Sequence, residues 1–297
     1  AMIIAVALGS FIGAVSGYLG GYVDEALSFI TNLFLSLPTL PLLLLTVYLF
    51  RDSVTAKLGL EFPTDWSRTL LARAVRRVLL GGVALPLTRF LTSLDVRGLS
   101  NIPRDGGSLI FTANHTSHLD TPLALAALPS SLRRRTVVAA AADTFFMKSR
   151  TAIITVLSVN AIPIERHKVN RRSAEQAITL LKDGWHLVIY PEGGRTPTGP
   201  LLEFKGGPAY LAERSDATIV PTFILGAGEW LSSFAKAEIY TSQPRRWRSP
   251  VTVAFGPPLR QEEGENIRRF GQRIQDAVVA LGREVTGDPT FAHHLDV

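Results

Sequence analysis

Hydrophobic positions fall into two regimes along this chain. Up to Phe50 they run almost unbroken. Met2 to Leu19 carries no charge, Ala26 to Phe50 is longer and equally uncharged, and Gly20-Gly21-Tyr22-Val23-Asp24-Glu25 joins them. A membrane span needs roughly 20 apolar residues, so the pattern predicts a hydrophobic membrane hairpin over residues 1–57. Pro38 and Pro41 would kink its second arm or leave it re-entrant. The first run lacks a basic start and a small-residue cleavage site, so it does not read as a signal peptide.

Arg51 to Asp65 is polar and turn-rich, as a linker is. Trp66 to Leu94 then carries Arg68, Arg73, Arg76, Arg77 and Arg89 with no acidic residue. At helical spacing Leu70, Leu71, Ala74, Val75, Val78 and Leu79 share one face and the first four arginines fall opposite. That pattern predicts, over residues 58–94, a linker and a basic amphipathic helix lying in a membrane interface. Arg51, Lys57 and this helix place the far side of the hairpin in the cytoplasm.

From Asp95 onward, short β-leaning runs alternate with helical periodicity. Strands are expected at Leu109–Ala113, Thr136–Ala141, Leu187–Tyr190, Ile219–Leu225 and Val251–Phe255. Helices are expected at Pro122–Leu128, Thr144–Leu157, Ser173–Lys182, Gly207–Arg214 and Gln261–Arg283. Ser173 with Gln176 reads as a capping box and Gly184 as a helix stop. The alternation predicts an α/β fold, a mainly parallel sheet with flanking helices over residues 95–297.

Composition narrows the partners. The 297 residues carry a net charge of +6, which favours an anionic partner: a phosphate-bearing substrate, an acidic membrane or nucleic acid. Nucleic acid is disfavoured, because no recognised binding motif appears and aromatics do not interleave with the arginines. The absence of Cys removes disulfides, thiolate metal sites and a Cys nucleophile.

Chemistry concentrates where strands end. In Asn114-His115-Thr116-Ser117-His118-Leu119-Asp120, His115 follows a strand and Asp120 stands at the mouth of the next helix. A turn there brings imidazole onto carboxylate, the pairing a general base needs. Ile162-Pro163-Ile164-Glu165-Arg166 leads into a basic loop of His167, Lys168, Arg171 and Arg172. Val188-Ile189-Tyr190-Pro191-Glu192-Gly193-Gly194-Arg195-Thr196 ends a buried strand in a Gly-rich turn. In α/β sheets ligands collect at the carboxyl ends of strands, and arginines there suit phosphate. A serine hydrolase built on Ser117 lacks its Gly-x-Ser-x-Gly elbow. A metal on His115 and His118 lacks further clustered ligands.

Taken together, the blocks around His115, Ile162–Arg166, Tyr190–Thr196 and Val220-Pro221 resemble, in order and spacing, those of the glycerolipid acyltransferase family. Leu94-Asp95-Val96-Arg97-Gly98-Leu99-Ser100-Asn101-Ile102-Pro103 is similar to that family's lead-in, and the likeness runs from about Trp66 to Arg283. The resemblance implies acyl transfer from acyl-CoA or acyl-carrier protein to the hydroxyl of a lysophospholipid such as 1-acyl-glycerol-3-phosphate, without cofactor or metal. It casts His115 as general base and Asp120 as its orienting acid. Asn114, Arg166, Glu192, Gly193, Arg195 and Lys205 become substrate-binding positions. It implies membrane lipids as partners, and a catalytic domain on the cytoplasmic side of the cell membrane. Gly194 stands where the family usually has Thr, and Tyr190 where Phe is common. Separately, Gly13 to Glu25 and Phe34 to Pro41 resemble a fragment of the dipeptide/oligopeptide ABC-transporter permease family. The later permease helices have no counterpart here, so no transport is implied.

Overall fold

Leu109–Ala113 is buried at every position because it lies in the middle of a sheet covered on both faces. The computed structural model describes residues 58–166, 171–195, 201–227 and 248–295. The strands are β1 (Thr92–Arg97), β2 (Leu109–Ala113), β3 (Thr136–Ala141), β4 (Ala161–Ile164), β5 (His186–Ile189), β6 (Thr218–Leu225) and β7 (Ser249–Phe255). They form one sheet in the order β1-β7-β6-β2-β5-β3-β4. Every pairing is parallel except β6 with β7.

The helices are α1 (Leu70–Arg76), α2 (Leu85–Leu91), α3 (Asp120–Ala127), α4 (Ser130–Arg133), α5 (Ala142–Phe145), α6 (Ser149–Val159), α7 (Arg171–Lys182), α8 (Gly207–Ser215) and α9 (Ile267–Thr286). A π-helical stretch, Arg77–Ala84, joins α1 to α2. Side chains alternate across a strand, which divides the core. Leu109, Phe111 and Ala113 pack with Leu123 and Leu125 of α3 and with Val253 and Phe255 of β7. Ile110 packs with Ala177 and Leu181 of α7, Ala209 of α8, and Phe270 and Ile274 of α9. Strands buried on both faces read as continuous apolar runs rather than alternating ones, which is why β2, β3 and β6 stand out in the sequence.

Several expectations need correction. β1 begins at Thr92, inside the stretch assigned to the basic helix. Its exposed Ser93, Asp95 and Arg97 alternate with half-buried Leu94 and Val96. β4, absent from the expected strands, is the apolar run just before Arg166 and contains Pro163. It pairs only with β3, and an edge position tolerates proline. The helix expected over Thr144–Leu157 is broken: α5 ends at Phe145, and the fully buried Phe146 ring packs 5.5 Å from Phe62. The helix expected to open at Ser173 already runs from Arg171, and the Gln176 amide donates to Thr64 Oγ1 at 2.8 Å.

The basic helix is turned relative to its expected orientation. Leu70 is 83% exposed and Leu71 also faces solvent, whereas Arg76 points inward and donates to the carbonyls of Ser67 and Val156, each at 3.0 Å. A guanidinium donating to two backbone carbonyls outweighs the apolar pattern of one short helix. Ser67 Oγ also donates to Asn160 Oδ1 at 3.0 Å, so residues 58–94 pack into the same body as the sheet rather than trailing as a linker. The hairpin and the permease-like stretches at 1–57 lie outside the described residues. No described helix is long and apolar enough to cross a membrane.

One buried histidine links the central strands. His186 Nδ1 accepts the Leu109 N–H at 3.2 Å, tying β5 to β2, and burial, then Arg135, pushes the imidazole down to about 4. Below the unfolded value near 6.5 the unfolded chain takes up the proton first, so stability is lost as pH falls from about 6.5 toward 4 and is full above that window. Chemical denaturation across this range is expected to show a loss of the order of 3 kcal/mol. His186→Gln, which keeps an acceptor but does not titrate, is expected to flatten the slope. An equally steep slope in that variant would assign the effect elsewhere.

Candidate active site

β2, β3, β4 and β5 run parallel, so their carboxyl ends share one edge of the sheet. β2 leads there to His115, β3 to Asp143, β4 to Arg166 and β5 to Glu192. The chain leaves β2 and turns at once into α3, whose first residue is Asp120. The Asp120 carboxylate is fully buried at that helix N-terminus, where negative charge is favoured. Its Oδ2 accepts the N–H of Thr116 at 2.7 Å and of Ser117 at 2.8 Å, and lies 2.8 Å from His115 Nδ1. A carboxylate only accepts, so the Nδ1 nitrogen carries the proton and the Nε2 lone pair is left free.

The imidazole has a second support. Its ring stacks on Tyr190 with centroids 4.2 Å apart and planes 20° from parallel. The Tyr190 hydroxyl meets Thr121 Oγ1 at 3.1 Å, and burial followed by the Asp120 charge pushes the phenol well above its ordinary range, so it stays protonated. Carboxylate on one edge and phenol against one face leave His115 only 19% exposed.

Glu192 and Asn114, expected at the substrate, hold backbone groups around His115. Glu192 is 4% exposed; its Oε1 accepts the His115 N–H at 2.6 Å and its Oε2 the Leu202 N–H at 3.0 Å. Asn114 Nδ2 donates to the Ile224 carbonyl at 2.9 Å and its Oδ1 accepts the Ile224 N–H at 2.7 Å. Both side chains are engaged on backbone. Asn114 fixes β2 against β6, and Glu192 holds the His115 turn to the loop after β5.

Around His115 opens a groove of about 430 Å³, lined also by His118, Arg166, Gly193, Gly194 and Arg195, with Val138–Ala141 of β3 and Val159 of α6 as apolar wall. Arg166 is fixed at its place: Nε and Nη2 donate to the Asp143 carboxylate at 2.9–3.1 Å, and Nη2 also to Thr144 Oγ1 at 3.0 Å. Lys205 lies outside the groove lining; its Nζ donates to the Arg166 carbonyl, beneath Gly193. His118 contacts Phe145 edge-on at 6.1 Å, and burial, with Arg195 next, lowers its pKa. His118 therefore stays neutral near pH 7. Asp143 and Thr144 were not among the expected site residues although they lie two and three residues past β3, near the strand-end position that drew attention to the other groups.

Residues 93–225 match the family model described as Acyltransferase. Among curated proteins, the 1-acyl-sn-glycerol-3-phosphate acyltransferase alpha of Homo sapiens is 26% identical over 201 residues, 66% of this chain and 65% of that protein. The chloroplastic 1-acyl-sn-glycerol-3-phosphate acyltransferase of Brassica napus is 26% identical over 144 residues, 46% of this chain and 38% of that protein. The chain thus spans well under half the length of that chloroplast relative. Among solved structures, the 1-acyl-sn-glycerophosphate acyltransferase PlsC of Thermotoga maritima superposes with a TM-score of 0.50 at 20% identity, over 84% of this chain and 97% of that one. That likeness bears on the fold alone. The sequence matches are thus to an acyltransferase family model and to proteins named as 1-acyl-sn-glycerol-3-phosphate acyltransferases, and none of them bears on the permease-like reading of the N-terminus.

The adjacent glycines separate backbone demand from space. Gly193 has φ +70°, and a Cβ there would lie 2.9 Å from Lys205 Cε, whereas Gly194 has ordinary φ and open space around it. Gly193→Ala is expected to cost about 1–2 kcal/mol in denaturant unfolding, and Gly194→Ala close to nothing. Equal costs would mean that Gly193 is not held in this turn.

Proposed function

We propose that this chain moves a fatty acyl group from an acyl thioester, acyl-CoA or acyl-carrier protein, to the hydroxyl of a lysophospholipid, with 1-acyl-glycerol-3-phosphate as the acceptor. The observation that carries the reading is the 2.8 Å contact between His115 Nδ1 and the buried Asp120 carboxylate, at the mouth of a groove that also holds Arg166 and Arg195. The relatives named above bear the same activity in their names.

In this mechanism His115 Nε2 removes the acceptor hydroxyl proton as the oxygen attacks the thioester carbonyl. Asp120 stabilises the imidazolium that forms. The tetrahedral oxyanion collapses, the C–S bond breaks, and the leaving sulfur takes the proton back from the imidazolium. Thioesters are reactive enough that no acyl-enzyme is needed, in keeping with a chain without Cys. The amides of His115, Thr116 and Ser117 are occupied by Glu192 and Asp120, so the Gly194 amide and the Arg195 guanidinium are left to meet the oxyanion. Arg166 offers its Nη1 edge to the acceptor's phosphate, because Nε and Nη2 are engaged by Asp143 and Thr144. The apolar wall from β3 suits an acyl chain.

A lipid acceptor also calls for contact with a bilayer. Exposed Leu70, Leu71, Leu87 and Phe90, on the segment that carries Arg73, Arg77 and Arg89, support membrane association, and Phe90 is 56% exposed. Placement at the cell membrane with the catalytic groove on the cytoplasmic side belongs to this proposal.

Incubation with labelled acyl-CoA or acyl-carrier protein against a panel of lysophosphatidate, glycerol-3-phosphate and unphosphorylated lipid alcohols, read by lipid mass, tests the reading. Acylated lysophosphatidate is expected. His115→Ala is expected to lower the rate by at least about 10³-fold with the fold intact. Arg166→Ala is expected to raise KM for phosphorylated acceptors alone. Substantial residual transfer without His115 would remove the proposed base.

A further inference from the structure

Across the sheet from the groove, at the amino ends of β3 and β4, lies a second concavity of about 140 Å³. Arg73, Arg76 and Arg77 reach it from α1 and the π-helical stretch, and Arg133 and Arg134 from the end of α4. No carboxylate lines it among the described residues.

Arginines facing solvent are commonly no more than a solvated surface, and two observations argue against that here. The first is fixation. Arg76 Nη2 is anchored on the carbonyls of Ser67 and Val156, and Arg133 Nη1 on those of Leu125 at 3.1 Å and Leu128 at 3.3 Å. These two guanidinium groups are therefore held in place instead of splaying into water, and the exposed Arg73, Arg77 and Arg134 stand around them. The second is an unmet donor. Arg76 Nε is buried and has no hydrogen-bond partner. Buried donors are nearly always satisfied, and an unsatisfied charged one costs more than a neutral one.

The electrostatics agree. Arg76 is brought down to about 10 by burial, with Arg68 and Arg73 adding to it; Arg133 is lowered by burial, then by Arg89 and Arg134. Like charges are gathered there without a described counter-charge.

We propose that this arginine cleft binds a phosphate group, using the buried Arg76 Nε–H and the Arg73, Arg77 and Arg134 guanidinium groups as donors. Planar guanidinium forks match the oxygens of a tetrahedral dianion. Nucleotide-sized ligands fill pockets of several hundred Å³, so the cleft takes one phosphate rather than a whole nucleotide. The phosphate arrives on a lipid headgroup or free in solution. The site is independent of the acyl-transfer chemistry, because it lies at the other edge of the sheet and shares no residue with the groove around His115.

The test uses the full chain carrying Arg166→Gln, so that the groove contributes no phosphate site. Inorganic phosphate is titrated calorimetrically at low ionic strength, and co-sedimentation is measured with phosphatidylcholine vesicles with and without phosphatidic acid. The same protein with Arg73→Gln and Arg134→Gln, both exposed positions, is the comparison, its thermal unfolding confirming the fold. Binding weakened about tenfold or more by the pair supports the site. Loss in the phosphate titration identifies free phosphate as a ligand, and loss of phosphatidic acid-dependent sedimentation identifies a lipid headgroup. No binding in either arm, or binding indifferent to the pair, overturns the proposal.

Discussion

A buried carboxylate needs partners for its charge, and in this chain that need shapes the turn that carries the chemistry. Asp120 is fully buried and engages the Thr116 and Ser117 amides and the His115 ring through one oxygen. Removing water from such a group is costly unless its lone pairs are met. The backbone from His115 to Asp120 is therefore wrapped around the carboxylate, and the imidazole is one of the groups that meet its demand. Glu192 repeats the device one strand away by binding the His115 amide and the Leu202 amide. Two buried acids thus fix the base from below and behind, and Tyr190 covers its face.

Parallel strands gather these groups. Because β2, β3, β4 and β5 share a direction, every side chain just past a strand end reaches the same edge. His115, Asp143, Arg166 and Glu192 come together for this single topological reason, although they are far apart in the chain. The amino edge obeys the same logic, and the arginine cleft forms where α4, α1 and the π-helical stretch meet the starts of β3 and β4.

The strands buried on both faces were legible in the sequence, because burial leaves apolar runs such as Leu109-Ile110-Phe111 and Ile219-Val220 that polarity interrupts only at the ends. β1 was not, since its alternation is continuous with the helical pattern upstream. β4 is short and carries Pro163, which its edge pairing accommodates. The strand-end motifs named the residues of the edge correctly as neighbours, yet chain order alone does not say which atoms are free. Asn114 and Glu192 are polar residues beside His115, and it is the fold that brings the backbone groups of Ile224, His115 and Leu202 onto them. The inward turn of Arg76 was hidden for a related reason: a helical wheel records apolarity but not the carbonyls of Ser67 and Val156 to which the guanidinium donates.

The central claim concerns one proton. If Asp120 holds His115 as described, the neutral imidazole carries its hydrogen on Nδ1 and presents a bare Nε2 to the groove. Nitrogen-15 NMR of the full chain with labelled histidine reads this directly, with His115→Gln assigning the signals. The account predicts a protonated Nδ1 with a downfield-shifted proton that disappears in Asp120→Asn, and an Nε2 shift typical of an unprotonated ring nitrogen. A His115 ring protonated on Nε2, or one whose signals ignore the Asp120→Asn change, would contradict it.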